Sequence, residues 1–471
     1  MTKQTRAMGP FITLVSVFFF WGFVAASNDI LIPVFKKALN LEQLESQMIS
    51  FAFYVAYTVG SLAYYITSKI RKQDILNALG YRNGLALGLV ISALGTLLFI
   101  PAANNASFPL LLSGLFIVGL GFSLQQTAAN PLAISMGDPK QGSQRLSLAG
   151  GINNIGTTIG PVIIAYAIFG SPNAPETNLN LEAVKIPYIF LGAAFLIAAI
   201  LFKMSSIPDK IDPPSAANET AEQAAAKSPF SFPQLYLGMI AIFVYVGVEV
   251  STAGNLSEFM IQKLNFEEKN TAPFVSLFWA SLMIGRWTSA AGAFNMSVST
   301  KQIMNIVLPF AAFGIFLLVN AISGRDVSQF YFYAVFIIFL IVIDRISNGQ
   351  PARQLMIYSL CAIAALITGI FASGYVSLYA FILVGLFCST LWPCIFTLAI
   401  SGLGKYTNEG SSLLIMMIMG GGVVSLTQGY VSDHMVGIQQ SYWVGVVCFA
   451  YLAFYAYKTR NLKVEEVSAA H

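Results

Sequence analysis

Gln125-Gln126-Thr127-Ala128-Ala129-Asn130-Pro131, then Arg145, then Gly150-Gly151-Ile152-Asn153-Asn154-Ile155-Gly156-Thr157-Thr158-Ile159-Gly160-Pro161: this stretch decides how the chain folds. Amides, hydroxyls and glycines are gathered inside segments whose flanks are apolar enough for lipid. An unpaired amide in hydrocarbon costs roughly 2–7 kcal/mol. Such groups must therefore face one another, water or a ligand. Gln126 and Asn130 stand four apart and share a helix face. Pro131 has no N–H and its ring clashes with the carbonyl of Thr127, so the helix is expected to bend there and free that carbonyl. A bent helix with aligned amides suits a polyhydroxylated ligand.

Composition sets the class. The 471 residues are 56% hydrophobic and 10% charged, with mean hydropathy +0.71, whereas soluble domains carry about 25% charged residues. The chain reads as an all-α polytopic membrane protein whose solvent is the lipid bilayer. Lys and Arg total 25 against 21 Asp and Glu, a near balance that gives no sign of a nucleic-acid partner. Cys361, Cys388, Cys394 and Cys448 fall in apolar spans without metal-ligand spacing and read as small core residues. No cofactor and no resident metal are expected. His434 and His471 are the only histidines, and no nucleophile motif accompanies them, which argues against a membrane-embedded enzyme.

Working outward, a span needs about 20 apolar residues. The first half supplies six, centred near Trp21, Val55, Gly88, Gly119, Gly156 and Leu191. The apolar run from Phe11 lacks a small-residue cleavage site and reads as a retained first helix. Bases after the second span (Lys69, Arg71, Lys72, Arg82), between the fourth and fifth (Lys140, Arg145) and after the sixth (Lys203, Lys210, Lys227) fall on one side by alternation. The positive-inside bias makes that side, and both termini, cytoplasmic. A polar, proline-bearing linker occupies 207–232, and its alanine-rich piece reads as a surface helix. Eight spans follow it, centred near Val244, Leu282, Phe313, Ile337, Ala364, Leu386, Met417 and Val447. The expected organisation is a six-helix bundle at 1–206, the linker, a second bundle at 233–464 with an inserted hairpin at about 302–346, and a tail at 465–471.

Internal repetition supports this plan. Phe23-Val24 precedes Asp29 by six residues, as Phe243-Val244 precedes Glu249. Thr127 to Pro131 followed by Gly142-Ser143 is echoed by Thr390-Leu391-Trp392-Pro393 followed by Gly410-Ser411. The echo falls on equivalent helices only when the extra hairpin is left out, which describes two six-helix halves with an insertion and about fourteen helices in all.

On Asn28-Asp29-Ile30-Leu31, Thr127-Ala128-Ala129-Asn130-Pro131, Tyr245-Val246-Gly247-Val248-Glu249, Ile284-Gly285-Arg286, Trp392-Pro393-Cys394 and Gly420-Gly421-Gly422, the chain resembles the sugar porters of the major facilitator superfamily. The branch is that of the fucose:proton symporter and the bacterial glucose/galactose transporters. The resemblance implies the major facilitator fold, with a central cavity that opens alternately to either side. It assigns cation coupling to Asp29, sugar contact to Asn153, and an acid typical of the glucose/galactose members to Glu249. The position of the family's fourth-helix carboxylate holds Gln126, which cannot titrate. The inserted hairpin departs from the usual twelve-helix plan.

The expected activity is import of a hexose across the inner membrane, coupled to a proton or to sodium. Gln126, Asn130, Asn153 and Asn154 would bind hydroxyls, Trp392 would cover an apolar sugar face, and Asp29 and Glu249 would handle the cation. Plainer readings stand beside these. The amides serve equally as interhelical glue, worth about 0.6 kcal/mol each, and Arg286 is a base with which Glu249 could pair. An uncoupled sugar facilitator, or a metabolite or drug exporter of the same fold, is the alternative function. A monomer is expected.

Overall fold

The computed structural model describes residues 9–24, 43–169, 181–212, 228–267, 270–294, 296–462 and 468–469. Asp29 and the alanine-rich piece of the linker lie outside them.

Fourteen long helical segments occur among the described residues, and each holds one of the centres read from hydropathy. In chain order they are α1 (Gly9–Val24), α2 (Gln43–Arg71), α3 (Tyr81–Asn104), α4 (Phe108–Ser135), α5 (Gly142–Phe169) and α6 (Leu181–Met204). After the linker come α7 (Pro233–Leu264), α8 (Ala272–Ala290), α9 (Val298–Ile322), α10 (Ser328–Ser347) and α11 (Pro351–Phe371). The last three are α12 (Gly374–Ile400), α13 (Gly404–Val436) and α14 (Trp443–Thr459). Apart from a two-residue antiparallel ladder of Ile211–Asp212 with Ser468–Ala469, the described chain is helical.

Matched packing in the two halves follows from matched glycines. α3 lies against α4 and α6, and α11 against α12 and α14, so these sets correspond once α9 and α10 are set aside. A Cβ on Gly22 of α1 would fall 1.9 Å from the Asn153 carbonyl oxygen of α5, and one on Gly156 would fall 2.4 Å from that of Phe19. In the second half a Cβ on Gly420 of α13 would fall 2.0 Å from the Phe243 carbonyl oxygen of α7. Only glycine lets helix backbones approach so closely, which is how apolar helices gain packing energy where the hydrophobic effect is absent.

The inserted pair α9 and α10 packs beside α8. Much of its surface is apolar and exposed, including Ile303, Val307, Leu318, Ile338, Phe339 and Val342. Such a face is stable toward lipid and would be costly toward water.

The bundles meet most closely at the end that carries the linker. Ser412 Oγ donates to Ser61 O at 2.7 Å, Asn408 Nδ2 donates to Asp74 Oδ1 at 2.9 Å, and Tyr81 Oη donates to Asn408 Oδ1. Asn408 and Ser412 belong to α13, whereas their partners belong to the first half. Every one of these contacts must break for that end to open.

Candidate functional site

The two glutamines that open the defining stretch have separate fates, set by the helical rotation of about 100° between neighbours. Gln125 is fully buried; its Oε1 accepts from Trp21 Nε1 at 2.8 Å and its Nε2 donates to Ser92 Oγ at 3.0 Å. Both ends of that amide are used in tying α1, α3 and α4 together. Gln126 is half-buried and donates from Nε2 to Tyr57 Oη of α2 at 2.8 Å, while no donor among the described residues reaches its Oε1. One turn on, Asn130 is 1% exposed and its buried Nδ2 has no acceptor among the described residues. An amide orphaned in a membrane bundle is expensive unless something else binds it.

On α5 the adjacent asparagines also diverge. Asn153 Nδ2 donates to Phe18 O of α1 at 2.8 Å, so half of this amide serves helix packing. Asn154 Oδ1 accepts from Arg286 Nη1 at 2.8 Å. That guanidinium comes from α8 in the opposite bundle and also reaches Gly150 O at 3.2 Å. A mid-depth hydrogen-bonded tie thus spans the two halves, and one of its ends is a residue assigned to the sugar.

Glu249 is on α7, where Tyr245, one turn earlier, donates its hydroxyl to Oε2. Tyr245 also lies 6.3 Å, ring centre to ring centre, from Trp392, which stacks on Phe396 at 5.9 Å. The ion pair considered for Glu249 with Arg286 does not form: among the described residues the ion pair is that of Arg82 with Asp209. Arg286 nonetheless lies close enough to act electrostatically on Glu249, Tyr245 and Cys388. An acid and a base thus share one buried region without direct contact, each hydrogen-bonded to a neutral partner.

Two prolines shape the walls through the carbonyls they release. α4 passes through Pro131 as one continuous helix, and the freed Thr127 O accepts from Ser411 Oγ of α13 at 2.9 Å. At the repeat-related proline, α12 is interrupted between Cys388 and Leu391. Pro393 releases Ser389 O, which accepts from Arg286 Nε at 3.0 Å. Each freed carbonyl is capped by a polar side chain from a neighbouring helix, as membrane prolines require.

Sequence reasoning missed two members of the site. Tyr245 was within reach, since i to i+4 spacing alone sets its hydroxyl beside Glu249. Tyr57 carried no such signal, because its partner is on another helix. No group of three or more His, Cys, Asp or Glu able to hold a metal occurs among the described residues.

The family profile described as Major Facilitator Superfamily matches residues 11–426. A protein of Brucella abortus biovar 1 named glucose/galactose transporter is 31% identical over 457 residues, covering 96% of this chain and 95% of its own. The L-fucose-proton symporter of Escherichia coli K12 is 28% identical, covering 95% and 92%. The crystal structure of the transporter FucP in the outward conformation superposes with a TM-score of 0.72 at 27% identity, covering 96% of this chain and 99% of that one.

Proposed function

The chain belongs to the major facilitator superfamily, whose members are membrane transporters and not enzymes, and from that premise we propose that it imports a hexose in symport with a proton or sodium ion. The observation that carries this reading is the set of amide groups left over once the hydrogen bonds among the described residues are counted. Gln126 offers an acceptor, Asn130 a buried donor, Asn153 an acceptor at Oδ1 and Asn154 a donor at Nδ2. A pyranose ring presents hydroxyls that both donate and accept, so it complements this set. Trp392 supplies a flat apolar face of the kind on which a sugar's C–H face stacks. The relatives named for glucose, galactose and fucose transport point to the same substrate class.

Coupling is assigned to Asp29 and Glu249. With Gln126 unable to titrate, Glu249 and its neighbour Arg286 are the acid and the base of this site among the described residues. Loading Glu249 with a cation neutralises it and changes its hold on Arg286, and thereby the tie to Asn154. The chain is read as a monomer in the bacterial inner membrane, with both termini and the 207–232 linker in the cytoplasm. Contacts at the linker end then correspond to a state closed toward the cytoplasm, the same sense as the outward conformation of FucP.

Uptake of labelled glucose, galactose and fucose into proteoliposomes, with proton and sodium gradients imposed separately, tests the proposal. Accumulation of one hexose under one of the two gradients is the expected result. Equilibration that ignores both gradients identifies a facilitator, and absence of any sugar flux removes the hexose assignment.

A further inference from the structure

The inserted hairpin reaches into the bundle at its linker end. Asp344, one turn before the end of α10, accepts three hydrogen bonds on one oxygen: Ser289 Oγ of α8 at 2.8 Å, Gln354 Nε2 of α11 at 2.8 Å and Tyr358 Oη of α11 at 3.2 Å. Gln354 Nε2 also donates to Ser289 Oγ at 3.0 Å, and its Oε1 accepts from Cys394 Sγ of α12 at 3.5 Å. The chain of contacts then leaves the bundle, because Cys394 Sγ meets Ser143 Oγ, in the first turn of α5, at 3.8 Å.

The next residue of α5 is held by the same region. A Cβ on Gly292, just past α8, would fall 2.3 Å from Gln144 Cδ, and one on Gly349, just past α10, would fall 2.8 Å from Gln144 Nε2. The Gln144 amide therefore lodges between two glycines, one of which belongs to the turn that ends the hairpin. Gly349 has a φ of +67° and follows Asn348 at 54°, a left-handed pair that turns the backbone toward α5. No cation lies within ion-pair distance of Asp344 among the described residues, and Arg345 and Arg353 beside it in the chain are exposed. Its three partners are neutral donors.

We propose that the inserted hairpin is a working part of the gate that closes the linker end. Asp344 is its positioning residue: it clamps α8 and α11 and, through Gln354 and Cys394, sets α12 into the seat that receives Ser143 and Gln144 of the other bundle. The inference rests on the alternating-access reading above and not on the identity of the sugar.

Cys394 is fully buried in this seam and can report on it directly. In a variant keeping it as the sole cysteine (Cys361→Ala, Cys388→Ala, Cys448→Ala), the rate of labelling by N-ethylmaleimide is measured without sugar. Asp344→Ala should raise that rate about tenfold, the population shift that follows loss of hydrogen bonds to a buried acceptor. Gln354→Ala should do the same. Asp344→Asn retains an acceptor oxygen and should stay near the parent rate. The same substitutions with Cys448 as the sole cysteine should leave its labelling unchanged, since Cys448 lies on α14, which takes no part in the seam. Unchanged Cys394 labelling in both alanine variants overturns the proposal, as does an equal rise at Cys448 or an Asp344→Asn rate matching that of Asp344→Ala. Should Asp344→Ala fail to fold, Gln354→Ala decides alone. A protein that moves no sugar still gives this readout, so failure of the hexose reading and failure of the gate are separable.

Discussion

In the first bundle, the described side chains assigned to the ligand are neutral amides, Gln126, Asn130, Asn153 and Asn154, whereas the second bundle carries Glu249, Arg286 and Trp392. The scaffolds beneath them are alike. Glycines let α1 meet α5 and α7 meet α13 at backbone distance, and both proline-freed carbonyls find side-chain donors. A duplicated frame has thus kept its packing rules while its two inner walls acquired separate chemistry. Neutral amides recognise hydroxyls at any pH, and charged groups respond to a gradient.

The largest expected effect tests the likeness of the frames. Gly22→Ala and Gly420→Ala each drive a methyl onto a carbonyl oxygen of the facing helix, at a cost of roughly 3 kcal/mol, the upper end for overpacking. Both should abolish monodisperse protein in fluorescence-detected size-exclusion chromatography, and to a similar degree. A variant that tolerates the change in one bundle alone would show that the repeat is not mechanically matched.

Next comes the division of labour between the walls. Glu249→Gln keeps an acceptor for the Tyr245 hydroxyl but removes the charge, so uphill accumulation should collapse while sugar counterflow persists. Undiminished accumulation would assign coupling elsewhere, with Asp29 the first alternative. Asn130→Ala should instead weaken apparent sugar affinity about tenfold, close to 1.4 kcal/mol for one lost hydrogen bond to a ligand, with coupling intact. If accumulation falls but affinity holds, the contrast between neutral and charged walls is wrong.

The smallest effect lies at the edge of the first bundle, where Arg82 donates to Asp209. The guanidinium holds the Asp209 carboxyl below the usual carboxylate range. A depressed folded pKa contributes stability that is present above the unfolded value of about 3.9 and is lost as pH falls through the folded one. The pair is part-exposed, so its worth is at most about 1 kcal/mol. Arg82→Ala should lower the melting temperature by a degree or two at neutral pH and leave it unchanged in acid, where the parent has already lost the interaction. A shift that persists in acid would mean that Arg82 acts through its Ser205 carbonyl contact instead.

Much of this architecture is written locally in the chain. Span number and linker position follow from apolar length, because a helix crossing lipid satisfies its own backbone and needs only about 20 residues to do so. The insertion became visible as two spans too many for the repeat, and Glu249 with Tyr245 is a matter of helix spacing. Other features had no local signature. Gln125 and Gln126 are identical neighbours, yet one is a scaffold bolt and the other faces Tyr57, a difference made by what α1, α2 and α3 present to each. Arg286 could be read as a partner for Glu249, but its guanidinium fork is better filled by Asn154, Gly150 and the carbonyl freed by Pro393. Asp344 has no local signature at all, and only α8 and α11 bring three donors to it.

Composition and periodicity by themselves determined that this is a membrane-spanning helical repeat with an extra hairpin, since hydropathy is a property of each segment alone. Which amide braces its neighbours and which keeps a hydrogen-bonding atom to spare, where the helix breaks, and what the hairpin holds were decided by tertiary structure, because a polar group in a low-dielectric interior is defined by the partner that reaches it, and those partners arrive from other helices.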